Sequence, residues 1–125
     1  MKRIMLATLV TVSLAFGGLA YAHPELEKTT PAANATVATP AKIELRFSEK
    51  LAGEFSGADL LMLDMPGMKM DKPSKESAAS ALSADGMTLT LTPSKPLMAG
   101  TYRVDYHVVS TDTHRITGSY SFKVQ

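Results

Sequence analysis

The stretch Lys42-Ile43-Glu44-Leu45-Arg46-Phe47 alternates charged and apolar side chains with period two. Successive side chains of an extended chain point to opposite faces, so Ile43, Leu45 and Phe47 share one buried face. Thr88-Leu89-Thr90-Leu91-Thr92 alternates in the same way. Tyr102, Val104, Tyr106 and Val108 form one face of another strand, with Arg103, Asp105 and His107 on the other. A last strand over 116–124 brings Tyr120, Phe122 and Val124 together. Two more strands are predicted at 26–30 and 58–63, and a weak one near 79–82.

Breakers separate these runs: Pro31, Thr39-Pro40, Met65-Pro66-Gly67, Asp85-Gly86, Thr92-Pro93 and Ala99-Gly100. About seven short strands without a helical period predict an all-β, antiparallel Greek-key sandwich. Ala99-Gly100-Thr101-Tyr102 suits the start of a strand whose tyrosine closes a corner, as in immunoglobulin-like domains. The polar, Lys- and Ser-rich segment 71–80 is expected to be a mobile surface loop.

The chain opens with a leader pattern. Lys2 and Arg3 precede an uncharged, mostly apolar stretch over 4–19, then Ala20-Tyr21-Ala22 and Pro24. This is the order of a secretory signal peptide, and its diluted apolar run falls short of a membrane span. Cleavage after Ala22 would leave a mature domain over 23–125. The 13 Lys and Arg face 12 Asp and Glu in the whole chain. Removing Lys2 and Arg3 leaves the domain nearly neutral, which excludes the basic surface that nucleic acids need. With no cysteine present, packing alone must hold the core, and a soft metal must find ligands other than thiolate.

Processing would make His23 the first residue, placing a free α-amine beside an imidazole. Pro24 supplies no N–H, so a site built from successive backbone amides is blocked and further ligands must come from the fold. Asp112 and His114 lie two apart, which puts them on one side of an extended segment. An amine, two imidazoles and a carboxylate suit tetragonal Cu(II). The plain alternative is a chance terminal histidine with solvated loop residues.

Met62, Met65, Met68 and Met70 form a second cluster, including the turn MPGM (65–68). Methionine usually fills gaps in cores. Asp64, Pro66, Gly67, Lys69 and Asp71 interrupt this run, pointing instead to exposed thioethers on a loop that could hold Cu(I). Met62 lies within LLML (60–63) and also fits a packing role.

HPEL (23–26), PAKIELRFSEKL (40–51), FSGADLLM (55–62), MPGM (65–68), AGTYRVDY (99–106) and VVSTDTHRITGSYSFKV (108–124) resemble the CopC family of periplasmic copper-resistance proteins. The resemblance covers nearly all of the mature domain. It implies a cupredoxin-like, seven-stranded sandwich acting as a copper carrier or buffer in the periplasm, often beside a CopD-type inner-membrane protein. It also implies Cu(II) ligation by His23, Asp112 and His114, and in some members a Met-rich Cu(I) site at the opposite end. Met62, Met65 and Met68 match the family's methionines. Met70 stands where dual-site members carry histidine, and Pro73 where they carry methionine, so Cu(I) binding should be all-sulfur and weaker, or vestigial. His107 stands where arginine is usual and reads as a surface residue.

Two other classes compete with a non-catalytic, monomeric carrier. A copper oxygenase could use a terminal histidine chelate, but the carboxylate would hinder an open axial position. An immunoglobulin-like interaction module would need no metal. Ser110, Asp112 and His114 lie too close along one segment for a hydrolase relay.

Overall fold

The computed structural model of the protein describes residues 24–125. The leader over 1–22 and His23 lie outside them. The strands are β1 (Leu26–Thr30), β2 (Thr36–Val37), β3 (Ile43–Phe47), β4 (Gly57–Met65), β5 (Met68–Glu76), β6 (Ala78–Leu82), β7 (Thr88–Pro93), β8 (Gly100–Val109) and β9 (Arg115–Val124). One sheet has the order β1-β3-β7-β6 and the other β2-β9-β8-β4-β5. The pairing is antiparallel except for β2 against β9. The chain is thus the expected all-β sandwich.

The alternating residues meet between the sheets. Ile43, Leu45 and Phe47 are 0% exposed and face Tyr102, Val104 and Phe122 within one cluster. Each such side chain contributes about 1.5–3 kcal/mol on burial, and a chain without cysteine has no disulfide to add to it. Tyr102 does close a corner: its hydroxyl donates to the Met98 carbonyl at 2.7 Å. Two glycines mark tight approaches. A Cβ on Gly100 would collide with the Asp64 carbonyl, and one on Gly118 with the Tyr106 ring and hydroxyl.

Two strands differ from the sequence expectation. β2 is two residues long, too short to carry a pattern. Part of segment 71–80 is not a loop but continues β5, paired through Leu60↔Glu76, Leu61↔Lys75 and Met62↔Ser74, and the rest enters β6. β5 lies at a sheet edge, where one neighbour satisfies the ladder and no apolar alternation is required. Lys72, Pro73 and Lys75 are exposed there, residues that suit an edge and blunt it against further pairing. Between Met62↔Ser74 and Asp64↔Lys69 the register slips, leaving Leu63 opposite residues 70–73.

Candidate metal centre and methionine hairpin

The pairing of β8 and β9 ends at Val109↔Arg115, so residues 110–114 make the turn between them. Ser110 organises it. This residue is 1% exposed, its N–H donates to the His114 carbonyl at 2.9 Å, and its carbonyl accepts from the Thr113 N–H at 2.9 Å. The Ser110 hydroxyl donates to Asp112 Oδ1 and accepts from the His114 N–H at 3.2 Å. Thr113 has φ 75°, an unusual value for a β-branched residue, and that kink folds Asp112 back toward His114. Asp112 Oδ1 lies 3.2 Å from His114 Nδ1. The two candidate ligands do meet, but through a turn rather than the extended segment expected from their spacing.

The Ser110 hydrogen bond holds the Asp112 carboxyl below its ordinary range, with the positive character of His114 adding to the effect. Asp112 therefore stands ready as a carboxylate acceptor. Both side chains remain partly open to solvent, at 48% and 38% exposure. Two donors about 2.0–2.1 Å from one ion, at a right angle, sit about 2.9 Å apart. The observed 3.2 Å separation is close to that spacing. Among the described residues, no three His, Asp or Glu side chains converge, so this pair needs further donors to complete a metal set.

The described chain begins beside this turn. Pro24 is fully buried, and Glu25 exchanges hydrogen bonds with Ser48: Glu25 N–H to Ser48 Oγ and Ser48 N–H to Glu25 O, both at 2.8 Å. Two residues further on, the Lys50 carbonyl accepts from Thr111 N–H at 3.0 Å, and Leu51 bridges to Ser110. The segment 48–51 is thus tied to residue 25 on one side and to the 110–114 turn on the other.

His107 stands apart from the pair. It is exposed in mid-strand, paired in register with Gly57 and Thr117, and its ring lies over Gly57. The surface reading from sequence agrees with this placement. Ser110 is no nucleophile: its buried hydroxyl faces a carboxylate, and the Ser-x-Asp spacing is the sequence signal for that clamp.

The methionines lie at the other end. Thr101 pairs with Asp64, and Val109 with Arg115, so the ten residues of β8 separate the two ends by about 30 Å. Met65-Pro66-Gly67-Met68 form a tight turn, with Met65 paired to Met68 and Gly67 at φ 75°. Proline followed by a positive-φ glycine is the pattern of a type II turn. The thioethers are less exposed than a loop would make them. Met62 is 5% exposed and belongs to the core, Met65 and Met70 pack partly against it, and Met68 is 57% exposed. Met65 and Met68 line an open cleft of about 690 Å³ with Ala99, Gly100 and Lys123.

Residues 26–125 match the CopC domain. Over 125 residues the chain is 48% identical to copper resistance protein C of Pseudomonas syringae pv. tomato, covering 100% of this chain and 98% of that protein. It is 52% identical to copper resistance protein C of Xanthomonas campestris pv. juglandis over 94% of this chain and 91% of the relative. The crystal structure of selenomethionine PcoC, a copper resistance protein from Escherichia coli, aligns with a TM-score of 0.78 at 49% identity. That alignment covers 82% of this chain and 100% of the other.

Proposed function

The chain belongs to the CopC family, and from that premise we propose that it is a copper-binding protein of copper resistance that carries or buffers the ion without catalysing a reaction. Residues 1–22 act as a signal peptide, and the domain over 23–125 works in the periplasm as a monomer. Cu(II) is held by the α-amine and imidazole of His23 together with Asp112 and His114. The observation that carries this reading is the Asp112–His114 pair, 3.2 Å apart and clamped by Ser110. It is supported by the burial of Pro24 and the ties of segment 48–51, which bring the chain entry to the same end of the sandwich.

The chemistry follows from the donors. An ionised carboxylate and neutral imidazoles favour a divalent ion of intermediate softness. Because the amine and imidazoles must shed protons, binding releases them and weakens in acid. The hairpin supplies neutral, soft thioethers for Cu(I) through Met65, Met68 and Met70, while the buried Met62 supports them by packing. A CopD-type inner-membrane protein is the partner that would receive or supply the ion.

Equilibrium dialysis of the processed protein against Cu(II), followed by a reductant assay, tests the class. A carrier retains one equivalent and generates negligible peroxide. No retention would make the fold an interaction module, and sustained peroxide production would make it an oxygenase.

A further inference from the structure

Accessible sulfur at the hairpin end is distributed differently from the methionine run in the chain. Met62 is 5% exposed, whereas Met98 is 59% exposed, as open as Met68 at 57%. Met98 belongs to no candidate site so far described. Methionine in a globular domain ordinarily fills a gap in the core. Met98 fills none, since its neighbour Leu97 takes the buried position at 5% exposure.

The corner carrying Met98 is fixed and leads directly into the contact of β8 with β4. Thr39 Oγ1 donates to the Leu97 carbonyl at 3.1 Å, and the Tyr102 hydroxyl donates to the Met98 carbonyl at 2.7 Å. Gly100, two residues on, presses so closely on β4 that a Cβ there would lie 3.0 Å from Met62 Cε and would collide with the Asp64 carbonyl. Asp64 Oδ1 accepts from Thr101 N–H at 3.1 Å, and Met65 follows directly. Two peptide links span at most about 7.6 Å, so the Met98 backbone sits within that distance of the point where the corner meets β4. Methionine side chains reaching from both sides of such a gap, each with three rotatable bonds, can meet at one ion. Ala99 and Gly100 line the same cleft as Met65 and Met68.

The geometry points to Met98 as a further soft donor, completing an all-thioether site for a Cu(I)-class ion with Met65, Met68 and Met70. This inference rests on the hairpin being a Cu(I) site. The site then spans two segments, and an ion bound there ties the β4–β5 hairpin to the β7–β8 corner. No proton competes at any of the four sulfurs, so retention is flat in pH near neutrality.

Ag(I), a redox-inert soft monovalent ion, is the probe. The processed protein is labelled with 13C at its methionine methyls and titrated, with assignments from single Met→Leu variants. The methyls of Met65, Met68, Met70 and Met98 should shift together, while those of Met62 and Met87 stay. Met98→Leu should weaken Ag(I) about tenfold, equivalent to ~1.4 kcal/mol, and leave the fold intact, because Tyr102 bonds the backbone and not the side chain. If the hairpin methyls move while Met98 stays fixed, and Met98→Leu binds like the parent, Met98 is no ligand although the hairpin reading stands. If no methyl moves, and Met65→Leu/Met68→Leu/Met70→Leu leaves Ag(I) retention unchanged, the hairpin reading and this inference fail together.

Discussion

At one end of the sandwich, Asp112 and His114 are fixed by a turn whose hydrogen bonds centre on buried Ser110. At the other, Met68 projects into solvent while Met65 and Met70 lean on the core. The first arrangement sets charged and polar donors before an ion arrives and makes them compete with protons. The second relies on neutral, flexible donors whose positions come from apolar packing. On the proposed reading one fold offers two coordination chemistries about 30 Å apart, because the long β8 keeps a polar turn and an apolar hairpin at opposite ends.

The independence of the two ends predicts a double dissociation. His114→Ala should lower Cu(II) affinity by orders of magnitude and leave Cu(I) retention unchanged. Replacing Met65, Met68 and Met70 together by leucine should do the reverse, with less than about 1.5 kcal/mol of change in folding stability because leucine conserves volume. Competition titrations with each ion check both halves. If either variant affects both ions equally, the ends are not independent.

Next in size is the clamp. Ser110→Ala removes a buried hydroxyl and takes from Asp112 its principal donor, so Cu(II) affinity should fall about 10- to 100-fold, as for other outer-shell partners of metal ligands. Denaturant unfolding should show a loss of about 1–3 kcal/mol. Unchanged Cu(II) binding would mean that the turn is set by its backbone alone.

The alternating strands were legible because burial on one face leaves a period-two record, as in Ile43, Leu45 and Phe47. The corner tyrosine was legible from the Gly-Thr-Tyr start of β8. β5 was not, since an edge strand borrows its order from β4 and needs no apolar residues of its own. The kink at Thr113 left no trace either: a threonine at φ 75° carries no sequence signal, so the spacing of Asp112 and His114 reads as an extended segment where the chain makes a turn. In LLML, Met62 reads equally as core or ligand, and only its 5% exposure separates the two.

pH sharpens the contrast further. Asp112 has its pKa lowered by Ser110, so its stabilising interactions are present above the ordinary carboxylate range and disappear only as pH falls through the depressed value. Acid loss of Cu(II) should therefore begin well above that range, driven by imidazole and amine protonation, with the fold intact. Thioether-bound Cu(I) should stay constant over the same interval. Metal retention and circular dichroism measured between neutrality and mild acid check this. Simultaneous loss of both ions would point to unfolding instead.

The smallest effect expected is that of His107→Ala. Its ring lies over Gly57 in mid-strand, away from the turn, so neither ion's affinity should change measurably. A Cu(II) loss as large as that of His114→Ala would reassign the ligands.

On the proposed reading, a processed amino terminus completes the polar end. One glycine added before His23 keeps every side chain and moves only the α-amine. Mass spectrometry of the parent should give His23 as the first residue. Cu(II) titration of the two proteins should then show the extended form weaker by orders of magnitude, with an unchanged circular dichroism spectrum. Equal affinity in the extended protein would mean that the α-amine of His23 is no ligand.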